Sequence, residues 1–369
     1  MPSPVLITTT SGYRRAFWVW SLVGALVAGI LLATQASAVG GINGLIQVGE
    51  VSPLRPIIEE QLGEVPLTHH TGHDGQIFYA MALDLSGDEV GDLFIDPAYR
   101  YRRIMYPAVA SLFGLLDGTP LLIGMIVTVV LSMAFATGSI AAIGRLMGKS
   151  EFLALAVILN PGVWLAIRLL TSEVLATGLM CLGLLAFVLR NKSMHVAFSM
   201  SALSKETFLL TPLGLGVSRR WRRWLVGVIP TAVLILWSIW GQMSLGGLEG
   251  ESNNLSLPLT GIFQATEIWP LGGFSDWFYV ILALVLVVAA TVLAVAKRGW
   301  LRWSLLGWAA LAVCSSWYVW RIGNNAARVY APMLILVVLH LFAPPDFARS
   351  EAAKAKPNTI SRQPDATRS

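Results

Sequence analysis

Apolar residues in this chain come in long unbroken runs, and the polar residues are gathered between them. Apolar stretches at 17–38, 121–146, 152–170, 174–189, 225–242, 277–296, 303–320 and 329–343 are each bounded by charge or by turn-forming residues. Crossing about 30 Å of hydrocarbon takes roughly 20 helical residues, somewhat fewer where the bilayer adapts, so these eight runs predict membrane helices. A ninth run, 195–217, is interrupted by Lys205 and Glu206 and flanked by basic residues at both ends. Both flanks favour the cytoplasm, which predicts a re-entrant hairpin of two half-helices or a buried pair of short helices. The expected fold is an all-α integral membrane protein, a bundle of about 8–10 membrane helices with a long first outer loop.

The polar segments fill in the organisation. Residues 1–346 form a polytopic membrane domain. Its first outer loop, 39–103, holds ten acidic residues and reads as a compact loop domain, in which the amphipathic piece 77–85 is expected to lie along the interface. A second outer loop covers 244–275. The apolar segment 104–116 is too short to cross, and Pro107 with Asp117 suits an interfacial or re-entrant helix. Residues 347–369 are polar and lack apolar periodicity, and are predicted to be a disordered cytoplasmic tail. Arg14, Arg15, the apolar run 16–33 and Ala36-Ser37-Ala38 imitate a cleavable secretory signal, but the run exceeds the usual length of one and is read as an uncleaved first helix.

Composition agrees: of 369 residues 55% are hydrophobic and 13% charged, with a mean hydropathy of +0.67. A soluble domain could not cover that much apolar surface. The net charge of +5 would suggest nucleic acid in a soluble chain; here it follows the inside bias of basic residues. With the N-terminus inside, 18 of the 26 Lys and Arg residues fall on cytoplasmic segments, seven fall outside and Lys205 stays within the membrane. This predicts a multi-pass plasma-membrane protein with both termini in the cytoplasm, bound to membrane lipids and not to nucleic acid. Cys181 and Cys314 both lie in apolar runs and read as small hydrophobes, not as a disulfide.

The outer cations and the ionisable groups inside apolar runs are the candidates for chemistry. Asp74, followed by Gly75 and Gln76, offers a carboxylate that can take a proton from an attacking hydroxyl, and Gln76 an amide that can meet sugar hydroxyls; the competing role for Asp74 is a helix cap. Tyr99, Arg100, Arg102 and Arg103 combine aromatic faces with guanidinium forks suited to phosphate. Their alternative is pairing with Asp84, Asp88, Glu89, Asp92 or Asp96, or contact with lipid headgroups. Lys205 and Glu206 each cost about 3 kcal/mol to insert and should line a cavity or find a partner, the simplest being each other. Arg321 and Arg328, with Asn324 and Asn325 between them, mark an outer anion site. Arg168 and Glu173 read as a surface ion pair. No cofactor is called for; a divalent cation on His69, His70, His73 and Asp74 is the minor alternative, since no metal motif surrounds them.

Several of these segments resemble bacterial polytopic glycosyltransferases of the GT-C class, which act on polyprenyl-phosphate sugars. They are the first-loop run Asp74-Gly75-Gln76-Ile77-Phe78-Tyr79, the run from Pro97 through Tyr99-Arg100-Tyr101-Arg102-Arg103 to Pro107, Ser204-Lys205-Glu206-Thr207, and Arg328-Val329-Tyr330-Ala331-Pro332. The chain is similar, more distantly, to the mannosyltransferases of glycosylphosphatidylinositol assembly. The resemblance reaches to about residue 343 through short motifs, and His73 departs from it. It implies inverting transfer of a sugar, mannose-like or arabinose-like, from a polyprenyl-phosphate donor to a lipid-linked or cell-envelope glycan acceptor on the outer face. Asp74 is then the base, and Arg100, Arg102, Arg103, Lys205 and Arg328 the source of charge for the carrier phosphate. The rival expectation is a transporter or flippase of a lipid-linked anion built on Lys205 and Glu206.

Overall fold

The computed structural model describes residues 10–68, 70–114, 118–217, 224–246, 254–267 and 274–344. The tail 347–369, Arg219, Arg220, Arg222, Arg223, His69, Asp117 and parts of the second outer loop lie outside the described residues.

The chain is helical almost throughout. A long first helix, α1 (Thr10–Ala38), leads into the first long loop, which contains α2 (Arg55–Leu62), α3 (Asp74–Leu83) and α4 (Pro97–Tyr101). Two two-residue strands, β1 (Val48–Gly49) and β2 (Leu67–Thr68), pair in parallel at the base of this loop. Then follow α5 (Met105–Gly114), α6 (Gly118–Leu146), α7 (Leu155–Ile158), α8 (Pro161–Arg168) and α9 (Ser172–Val188). The second half holds α10 (Ser193–Ser204), α11 (Leu210–Gly216), α12 (Leu225–Leu245), α13 (Thr260–Ala265), α14 (Phe274–Ala296), α15 (Arg302–Cys314), α16 (Trp317–Trp320) and α17 (Gly323–Phe342).

Among the described residues five helices are long and apolar enough to cross a membrane: α1, α6, α12, α14 and α17. Their apolar side chains face outward as well as inward. On α14, Ile281, Val285, Val288, Val292 and Val295 form an exposed stripe, and α1 exposes Trp18, Leu22, Leu26 and Ile30. An outward apolar face of this extent belongs in lipid, and the protein is a multi-pass all-α membrane protein.

Two of the eight expected spans are not single straight helices, and a third is short. The run 152–170 is divided into α7 and α8, bent by 53°, because Pro161 opens α8 and holds Asn160 before it in an extended conformation (φ −82°, ψ 108°). The bent pair raises the count of spans to six at most. The run 174–189 is α9, 17 residues long. The run 303–320 stops at Cys314 and restarts at Trp317. At that break the orphan carbonyls of α15 are met by the loop between α12 and α13: the Ser256 and Leu259 amides donate to Cys314 and Val313 (both 2.8 Å), and the Ser316 amide to the Asn254 carbonyl (2.9 Å).

Two further expectations are corrected or refined. The segment 77–85 does not lie along an interface: Phe78, Tyr79, Ala80, Met81 and Ala82 of α3 are buried in the core shared with α5 and α6. The run 195–217 is divided at Lys205, which is extended (φ −157°, ψ 116°) between α10 and a 3-10 turn, Glu206–Leu209, that feeds α11.

Candidate active site

Asp74 opens α3 as its first helical residue, with His73 extended before it as the cap and no capping bond from the His73 side chain. The expected cap role of Asp74 is therefore not the one it takes, although a carboxylate in the first turn suits the helix dipole. Gly75 allows this placement: a Cβ there would stand 2.9 Å from the carbonyl oxygens of Ile46 and Leu169, so only glycine lets α3 start this close to the backbone around it. Gln76 is 4% exposed. Its Nε2 donates to the Thr71 carbonyl and its Oε1 accepts from the Gly49 amide, so it clamps the loop ahead of Asp74 to β1, and the expected contact with sugar hydroxyls is not what its amide serves.

Four elements converge on Asp74 and the groups behind it. From α17, Arg328 donates through Nη1 to Asp74 Oδ2 (3.2 Å) and through Nη2 to Asn325 Oδ1 (3.1 Å). From α4, Arg100 Nη1 stands 3.8 Å from Asp74 Oδ1. Arg103, just beyond α4, grips Glu206 with Nε (3.0 Å) and Nη2 (2.8 Å), the two-point geometry that makes guanidinium–carboxylate pairs strong. Lys205 Nζ donates to Glu173 Oε1 on α9 (3.2 Å). The Lys205 and Glu206 side chains thus diverge to different partners and are not satisfied by each other. Glu173 likewise pairs with Lys205 and not with Arg168, whose Nε donates to Gln35 Oε1 (2.7 Å).

Tyr99 is the hub of the arginine run. Arg103 lies over its ring at 4.8 Å and Arg100 and Arg102 at 5.9 Å. Its hydroxyl accepts from Arg103 Nη2 and, at 2.9 Å, from Asn254 Nδ2 of the loop between α12 and α13. Among the described residues no ion pair joins these arginines to the acidic residues expected as their partners, and two of those are used elsewhere. Asp96 caps α4 through the Tyr99 amide (3.1 Å), and Asp84 accepts from the amides of Ser86, Gly87, Glu89 and Val90. Arg321 lies over Trp317 (5.2 Å) and Tyr318 (4.5 Å), and among the described residues no ion pair joins it to Asp74.

The linked pairs carry four cations, Arg100, Arg103, Lys205 and Arg328, against three carboxylates, Asp74, Glu173 and Glu206. The buried end is Glu173–Lys205, with side chains 6% and 10% exposed; Asp74 is 31% exposed. Burial pushes the Asp74 carboxyl up, but Arg328 and Arg100 beside it outweigh this and hold it below its ordinary value. Burial lowers His73, Asp74 raises it and Arg328 lowers it again, leaving its affinity for a proton below that of a free imidazole. The cluster therefore presents an ionised, partly accessible carboxylate among cations that outnumber the carboxylates by one. Among the described residues no group of three or more His, Cys, Asp or Glu side chains is arranged to hold a metal ion.

Of the residues expected from sequence, Asp74, Arg100, Arg103, Lys205, Glu206 and Arg328 come together with Tyr99; Gln76 supports them from behind, Arg102 borders them and Arg321 stands apart. Glu173 and Asn254 are the additions. Glu173 was open to recognition, since a carboxylate at the very start of an apolar run can be drawn into the interior with it and then needs a partner; Asn254 sits in a polar loop with no such signal. No family model matches this chain, and neither a similar curated protein nor a similar solved structure is found.

Proposed function

We propose that the protein is a membrane glycosyltransferase of the GT-C type, moving a sugar from a polyprenyl-phosphate carrier to a lipid-linked or envelope glycan hydroxyl. The observation that carries this reading is Asp74: an ionised, accessible carboxylate set directly against Arg328 and Arg100. In the reaction the acceptor hydroxyl attacks the anomeric carbon from the face opposite the carrier, the new C–O bond forms as the bond to the phosphate oxygen breaks, and its electron pair leaves with the phosphate. Asp74 takes the acceptor proton. The carrier phosphate gains one negative charge as it leaves, and fixed guanidinium groups favour the leaving state over the bound one. Arg100, held only loosely at 3.8 Å, is the cation free to turn toward it. A low proton affinity makes Asp74 a mild base, which suits a transition state where phosphate departure runs ahead of proton removal.

Transport of a lipid-linked anion through a Lys205–Glu206 pair is the weaker reading, because each of these side chains is already held by a separate partner. The test is transfer of labelled sugar from a panel of polyprenyl-phosphate sugars, in membranes containing the protein and supplied with envelope acceptors. A product that depends on the protein and on a lipid-phosphate donor supports the reading. No product from any donor, with labelled lipid instead moving between leaflets, replaces it with transport.

A further inference from the structure

The buried pair Glu173–Lys205 has no direct contact with Asp74, and burying two charges is a poor route to stability. Its position suggests a different use. Arg328 is bonded to Asp74 at 3.2 Å, and because α17 packs against α9 the charge of Glu173 also acts on it. Glu173 in turn is held by Lys205 at 3.2 Å. A carboxylate engaged by its own cation competes weakly for a second one.

We propose that Glu173 is a positioning residue: neutralised by Lys205, it leaves Arg328 committed to Asp74, so that removing either member of the pair disturbs Asp74 and removing both does not. The inference rests on the reading of Asp74 as the base. It concerns Glu173, which the motif-bearing segments do not include.

The charges around Asp74 make the effect of each change specific. Facing it are Arg328 from α17, Arg100 from α4, Glu173 from α9 and Lys205 after α10, with His73 just ahead in the chain. Glu173 favours the protonated acid and Lys205 the ionised form, so the two oppose each other at Asp74. With Lys205→Met, Glu173 is left charged and unpartnered; it draws on Arg328 and repels the Asp74 anion. With Glu173→Gln the opposing negative charge is gone, and both Arg328 and Lys205 act on Asp74 without it. In the double variant both effects vanish together.

The experiment is a carboxyl-carbon NMR titration of Asp74 in the full-length protein in detergent, with the signal assigned by its absence in Asp74→Asn, alongside the acid limb of transfer activity. Lys205→Met is expected to move the midpoint up by about one pH unit, Glu173→Gln to move it down, and the double variant to return it to the wild-type value. Lys205→Arg, which keeps the charge, should leave it in place. Single variants that both leave the midpoint where it was, or move it the same way, overturn the proposal, as does a double variant no closer to wild type than the worse single one. If one single variant does not accumulate, the other decides together with the double variant: it must shift the midpoint in its stated direction, and the double variant must bring it back. The titration needs no turnover: opposed shifts in a protein with no transfer activity would keep the electrostatic device and remove the base reading, whereas transfer lost in Asp74→Asn without opposed shifts would do the reverse.

Discussion

At the scale of single residues, the site depends on groups that hold others in place, and Asp84 is the plainest case. Its carboxylate gathers four backbone amides and the Ser86 hydroxyl (2.7 Å) into one turn of the first long loop, and the Tyr101 hydroxyl, from the end of α4, donates to the Asp84 carbonyl (2.6 Å). Burial works against the charged form, but these hydrogen bonds outweigh it and bring the carboxyl down to about 2. A carboxyl depressed in the folded state contributes its full stability above its ordinary value near 3.8, and that contribution is lost as pH falls through about 2. Protection of the amides over 85–91, relative to the intrinsic exchange rate at each pH, is therefore expected to be high at pH 5 and to fall as pH drops from about 4 toward about 2; Asp84→Ala should show the low protection already at pH 5. Equal protection in the variant and the wild type would remove Asp84 from this role. The roles of Asp84 and Gln76 were hard to foresee because sequence shows that a group is polar, not whether backbone amides will already use it.

At the scale of elements, the sequence was most readable where a helix is long and uniformly apolar. The five long spans follow their hydropathy, whereas 152–170 and 303–320 contain breaks that an average over the window hides. Those breaks position the site. Asn160 caps α8 through the Gly162 and Val163 amides (3.1 and 3.3 Å) and donates to the Ala331 carbonyl on α17 (2.8 Å), three residues beyond Arg328. Gly162 lets the two helices meet, since a Cβ there would stand 2.0 Å from the Ala327 carbonyl oxygen. Gly162→Ala must push α17 away with the Arg328 it carries. The expected outcome is a loss of about 1–3 kcal/mol in stability, read as a lower thermal midpoint, with a fall in any Asp74-dependent activity. An unchanged midpoint would mean that this contact is not close-packed in solution.

At the scale of the whole molecule, composition and hydropathy made the membrane class legible, and the charge pattern supplied an orientation that packing alone does not give. With the N-terminus inside, as that pattern predicts, the arginines gathered at Asp74 are exceptions to the inside bias; their convergence from α4 and α17 could not be read from spacing, because more than two hundred positions separate them in sequence. The orientation has a direct check. Cysteine placed at exposed Asp88 should react with an impermeant maleimide in intact cells, and cysteine at exposed Ser150 only after the membrane is opened. The opposite pattern would invert the topology and put Asp74 on the cytoplasmic side, away from any outer-face acceptor.

The measurement that bears most directly on the central claim compares wild type with Asp74→Asn at matched abundance and matched thermal midpoint, in transfer from the polyprenyl-phosphate sugar that the wild type uses. The account predicts a loss of at least about 100-fold, the usual scale for removing a catalytic base, with the wild-type product carrying the anomeric configuration opposite to that of the donor. An Asp74→Asn protein that transfers sugar at the wild-type rate would contradict it.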